Sequence, residues 1–202
     1  MRAGLRFFRL VPLSAVLLAC SDTSGPSDNG PPDGLITISG TIDNRTEATI
    51  PENTRLLLVW GVSATSPDYT YVFGEGTIDR NNGTFELVLE EPPPSAALNA
   101  DALGVGVIAA TTNTTVSTGD DIEIVPPSEI VGATGCCGVI YVKDSNVATT
   151  VRPWAEAFAP GYTVGVGEDV PGSSYDKFVP ADASDVVLII DEVTNIELVN
   201  WS

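Results

Sequence analysis

Apolar residues in this chain recur at every second position far more than at helical spacing, and that period points to β-sheet. Ile36, Ile38 and Ile42 alternate with Thr37, Ser39 and Thr41, which gives a strand one apolar and one polar face. Tyr69, Tyr71 and Phe73 alternate in the same way, and Phe85, Leu87 and Leu89 alternate with Glu86, Val88 and Glu90. Between these two runs, Asp79-Arg80-Asn81-Asn82-Gly83 has hairpin chemistry, because Asn and Gly tolerate positive φ. Pro92, Pro93 and Pro94 end that ladder, since proline offers it no N–H. Leu56 to Val62 is continuously apolar, as suits a strand covered on both faces, and it makes Trp60 a core residue.

Further strands are expected at Leu103 to Thr111, Ile122 to Val125, Gly138 to Lys143, Thr163 to Val166, Val186 to Ile190 and Ile196 to Val199. Only Ser95 to Leu103 and Trp154 to Phe158 look capable of a helical turn or two. Short strands with regular turn signals predict an all-β fold, a single antiparallel β-sandwich of roughly 8–10 strands.

The N-terminus has a different composition. Arg2, Arg6 and Arg9 precede an apolar run from Leu10 to Ala19, which is signal-sequence length and too short to span a bilayer. Leu17-Leu18-Ala19-Cys20 then resembles the lipobox of bacterial lipoproteins: a branched apolar residue, a tolerant position, a small residue and the cysteine. The resemblance implies that residues 1–19 are a cleaved signal peptide and that Cys20 carries the lipid. It further implies a cell-envelope location, with Ser21 favouring the outer membrane, on its periplasmic or surface face. Several acyl chains anchor firmly where one chain is marginal. Residues 21–34 contain no large apolar side chain and are rich in Gly, Pro, Ser and Asp. Residues 20–34 therefore read as a lipid-anchored flexible tether, and residues 35–202 as the folded domain.

Charge narrows the partners. The chain has nine basic and 27 acidic residues, no histidine and a net charge of −18. Cleavage would remove Arg2, Arg6 and Arg9, leaving six basic residues against 27 acids and a charge of −21. Such a potential repels nucleic acid and anionic lipid headgroups, so contact with the membrane is expected through the lipid alone. An unidentified protein or glycan is the remaining class of partner.

Ile38-Ser39-Gly40-Thr41-Ile42 and Asn82-Gly83-Thr84-Phe85-Glu86-Leu87 resemble transthyretin-like or carboxypeptidase-regulatory-like modules. In those modules a G-x-[FY]-x-L return strand packs against the opening strand. The resemblance covers about a quarter of the chain and implies a binding or spacer role, with no catalytic residue carried over.

The absence of histidine excludes a Ser-His-Asp triad, a Cys-His pair and His-ligated metal sites. Cys136 and Cys137 are adjacent between Gly135 and Gly138, and an exported chain meets an oxidising compartment. A vicinal disulfide, two buried thiols opening the strand Val139-Ile140-Tyr141, and an intermolecular bridge all fit this pair. Two acidic groups are candidate calcium ligands: Asp79, Asn81 and Glu86 around the hairpin, and Asp120, Asp121 and Glu123 in a loop. Solvated turn carboxylates are the plain alternative, and no cofactor is otherwise expected. The sequence therefore points to a non-catalytic binding or structural module. A carboxylate-dependent, glycosidase-like hydrolase and a calcium-dependent adhesion module are the competing readings.

Overall fold

In the computed structural model, which describes residues 36–62, 69–121, 125–135, 137–168 and 177–191, the period-two runs become ten strands of one sheet. They are β1 (Ile36–Asn44), β2 (Arg55–Val62), β3 (Tyr69–Asp79), β4 (Thr84–Leu89) and β5 (Leu103–Thr111). Then follow β6 (Ile130–Thr134), β7 (Cys137–Val142), β8 (Gly161–Glu168), β9 (Lys177–Ala181) and β10 (Val186–Ile190). β4 pairs antiparallel with β1, so that Phe85 faces Gly40.

The antiparallel sandwich is not what forms. Hydrogen-bonded neighbours run β2-β3-β4-β1-β10-β6-β5, and β5 pairs back to β2, so seven strands close into a barrel. The barrel is mixed, because β1 and β10 are parallel, with Gly40 opposite Val186 and Asn44 opposite Ile190. Alternation records which face of a strand is buried but not which strand lies beside it, and closure is decided by that second property. Gly40 marks a tight corner of the barrel: a Cβ there would run into the backbone carbonyl of Val186.

The remaining strands branch from β5. Its C-terminal half pairs with β6 (Ala109 opposite Ala133), and its N-terminal half pairs along the same edge with β7 (Gly106 opposite Val139). Between Thr134 and Cys137 the ladder is interrupted, as in a β-bulge. The Thr134 hydroxyl bridges the gap: it accepts from the Ile108 N–H at 3.3 Å and donates to the Cys137 carbonyl at 2.9 Å. Beyond the break β7 takes β8 as its neighbour, whereas β6 keeps β10, so the sheet forks here. β9 follows β8 on the outer branch.

Alternation distributes the core. Leu56, Leu58 and Trp60 of β2 point into the barrel with Ile38, Phe85, Leu87, Ile108 and Leu188. Leu57 and Val59 point outward and are covered by Val116, Val125 and Ile130, so β2 is buried on both faces as its apolar run requires. A third cluster joins Ile140 and Val142 of β7 to Trp154, Phe158 and Phe178. The helix α1 (Ser145–Val151) contributes Ala148 to that cluster.

Two helical expectations shrink. Ser95 to Leu103 holds only a 3-10 turn (Ser95–Ala97) and a tight turn with Ala100 at φ 51° and Asp101 at φ 54°. Trp154 to Phe158 corresponds to a 3-10 turn over Pro153–Ala157. The expected strand at Ile196 to Val199, and residues 122–124 of the one at Ile122 to Val125, lie outside the described residues. Among those described, no helix is long and apolar enough to cross a membrane.

Candidate functional site

The barrel interior offers little room for a ligand around Trp60. This side chain is fully buried, and Cβ atoms added at Gly104 and Gly106 of β5 would crowd its ring, at 2.9 and 3.2 Å. A register shift between β2 and β3 accompanies an indole hydrogen bond, in which Trp60 Nε1 donates to the Phe73 carbonyl at 3.3 Å. Tyr162 lies 6.1 Å from Trp60 and 4.7 Å from Tyr141, centroid to centroid, and its hydroxyl donates to the Glu91 carbonyl at 2.8 Å. Burial, and then the neighbouring Tyr141, push the Tyr162 hydroxyl well above the usual phenol range. Trp154 is buried in the outer cluster and Tyr71 is half-buried, so neither is an open stacking platform. Trp201 lies outside the described residues.

The outer face of β1, β4 and β3 is different. There a depression of about 450 Å³ is lined by Ser39, Thr41, Thr77, Asp79, Thr84, Glu86 and Ser184. These are the polar members of the alternating runs, brought together by register. Glu86 stands opposite both Ser39 and Thr77, and Thr84 opposite both Thr41 and Asp79. The rim comes from the turn before β10, where the Ala183 carbonyl accepts from the Ser39 N–H at 2.8 Å. Among the described residues no side-chain hydrogen bond occupies Ser39, Thr41, Thr77, Thr84 or Glu86.

Asp79 is already engaged. Its Oδ1 accepts from the N–H groups of Asn81 and Asn82 at 3.0 and 3.1 Å, and its Oδ2 accepts from the Asn82 side chain at 2.7 Å. The Asn82 amide first, and then these backbone N–H groups, hold its carboxyl below the usual range. Asp79 and Glu86 thus share the depression, whereas Asn81 belongs to the turn and does not line it. Asp182, beside the rim, is held low by the Ser184 N–H and hydroxyl. Asp101 is held low by Lys143 and then Ser95.

The second acidic group sits elsewhere. Asp120 accepts from the Ser117 N–H at 2.8 Å through Oδ2, and its carbonyl accepts from the Val72 N–H at 3.0 Å. Asp121 forms a bridge with Tyr71. Val72 and Asp79 are seven residues apart on β3, so roughly 20 Å separates the two acidic groups at about 3.3 Å per residue. Glu123 lies outside the described residues, as do Cys20 and Cys136, and with Cys136 the three alternatives for the cysteine pair. Cys137 opens β7 and is half-buried at the fork of the sheet. Among the described residues no group of three acidic or thiol side chains could hold a metal ion.

Basic side chains are committed away from the depression. Arg45 pairs with Asp43, Arg55 with Glu75 and Lys143 with Asp101, while Lys177 stands 4.0 Å from Glu168. Arg80 folds back to donate to the carbonyls of Pro51, Glu52 and Thr54, and Arg152 is engaged as well. Sequence reasoning found Asp79 and Glu86 but missed the hydroxyls around them. Their signal was present as the polar half of each alternation, yet only register makes Ser39, Thr77 and Glu86 neighbours. Neither protein-family models, curated proteins nor solved structures yield a match to this chain.

Proposed function

We propose that the chain is a lipid-anchored, non-catalytic binding module of the bacterial cell envelope, held by Cys20 and binding through the depression on β1, β3 and β4. One observation carries the binding half of this reading. The depression brings together Ser39, Thr41, Thr77, Thr84 and Glu86, whose side chains form no hydrogen bond among the described residues, while the barrel interior is occupied by Trp60 and its neighbours. The anchor rests on the resemblance of Leu17-Leu18-Ala19-Cys20 to a lipobox, and the outer membrane is its favoured destination.

Two measurements test the two halves. Metabolic labelling with a palmitate analogue should mark the wild type and leave Cys20→Ser unmarked; an unmarked wild type rejects the anchor. Immobilised wild-type protein should retain an envelope component that a Thr84→Arg, Glu86→Arg variant does not. Turnover of a chromogenic glycoside that disappears in Glu86→Gln would instead reinstate the hydrolase.

A further inference from the structure

Glu86 stands in the middle of a hydroxyl field with no cation of its own. Across the ladders it faces Ser39 on one side and Thr77 on the other, with Thr84 two residues away on the same face of its strand. The basic side chains of the described chain are paired or bonded elsewhere, so Asp79 and Glu86 leave the depression negative. Its polar groups divide by chemistry. Hydroxyls accept and donate, an ionised carboxylate only accepts, and no cationic side chain lines the walls. An anionic ligand is therefore repelled, and a cationic donor gains a charge-assisted bond to Glu86 that a neutral hydroxyl does not.

We infer that the depression takes a protonated amine carried on a polyhydroxylated frame, an amino sugar being the smallest such ligand. This inference rests on the binding reading above and adds the chemical class of the ligand. An ammonium group has three N–H donors. One meets the Glu86 carboxylate in a charge-assisted bond, and a second meets the hydroxyl of either Ser39 or Thr77, which flank Glu86 one strand away on opposite sides. Ring hydroxyls of the ligand are left for Thr41 and Thr84, whose oxygens can accept or donate, and for Ser184, whose hydroxyl already donates to Asp182 and can only accept. A volume of about 450 Å³ lies within the range of small-molecule sites and suits one or two sugar rings. The strongly acidic surface raises the local concentration of such a cation and speeds its arrival.

The test is an amide chemical-shift titration of the full chain carrying Cys20→Ser, so that the result does not depend on lipidation. D-glucosamine, its neutral counterpart N-acetylglucosamine and Nα-acetyl-lysine amide are the three probes. Glucosamine should shift the amides of residues 39–41, 77–79, 84–86 and 184 selectively, more strongly than either other probe. Glu86→Gln should weaken that binding roughly tenfold, the scale of one charge-assisted hydrogen bond. Glu156→Gln, on an exposed residue remote in sequence from the depression, should leave it within about twofold, as a surface charge outside the site does. Equal shifts from N-acetylglucosamine, unaffected by Glu86→Gln, overturn the amine and leave the binding module standing. Equal binding of the lysine derivative overturns the sugar frame in favour of a basic protein side chain. Shifts spread evenly over the acidic surface, or none at these amides, overturn the inference outright; the retention experiment then judges the binding module by itself.

Discussion

Trp60 shows how single residues hold this barrel shut. Its ring packs on the bare backbone of Gly104 and Gly106, and a Cβ at position 104 would stand 2.8 Å from Leu98 Cδ2 and 2.9 Å from the ring. Gly104→Ala should therefore cost about 1–3 kcal/mol, the range for overpacking a filled core, measured as a fall in the urea midpoint. Asp79 is the opposite kind of residue, exposed and polar yet structurally committed to its turn. Its carboxyl titrates below the ordinary value of 3.8, so the folded state is stabilised by the ionised form. That contribution is complete above pH 3.8 and disappears as the pH falls through the lower folded value. The stability gap between wild type and Asp79→Ala should thus be constant near neutrality and narrow on acidification below that point. A gap that widens in acid contradicts this role.

At the scale of elements, the fork between β6 and β7 hangs on one hydroxyl. Thr134 supplies the acceptor for a buried Ile108 N–H and a donor for the Cys137 carbonyl. Thr134→Val keeps the shape and removes both bonds, so it should cost about 1–3 kcal/mol and speed amide exchange at Ile108. Most strands were legible for a simple reason: a strand with one wet and one dry face writes a period of two into its sequence. Leu103–Thr111 and Val186–Ile190 were found with their full bounds. The strands missed, Ile130–Thr134 and Lys177–Ala181, are five residues long. One includes Gly132 and the other Pro180, so neither offers enough alternation to read. The helix Ser145–Val151 was missed because its Val and Thr residues favour strands. It forms behind an Asp144 cap, whose side chain accepts from the N–H groups of Asn146 and Val147. Asp79 and Glu86 were visible as acids near a hairpin, whereas the depression was not, because Ser39 and Ser184 join it only through pairing partners far apart in sequence.

For the whole molecule, closure couples the two ends of the described chain. β1 lies against β10, so Gly40 and Val186 meet across nearly the entire domain, and Arg55 meets Thr111 where β2 and β5 seal the barrel. Non-local pairing of this kind must close long loops before contacts reward it, and such β topologies fold in milliseconds to seconds. Stopped-flow refolding should fall in that range. Leu188→Ala, in the fully buried part of β10, should lower stability by about 2–5 kcal/mol. A sandwich of two independent sheets would not depend on one parallel pair in this way, which is why reading strands alone misjudged the architecture.

The position of β1 also decides how the domain bears load. β1 is the first strand among the described residues and is held along both edges, by β4 on one side and β10 on the other. Its ladder hydrogen bonds run across the strand, so a pull along it from the N-terminal end meets many of them in shear and none singly. The same strand supplies Ser39 and Thr41 to the depression. Were the proposed leash at Cys20 and the proposed ligand both in place, tension between them would pass directly through β1 and largely bypass the outer strands β7, β8 and β9. The binding face would then be mounted on the part of the barrel best placed to resist being drawn out.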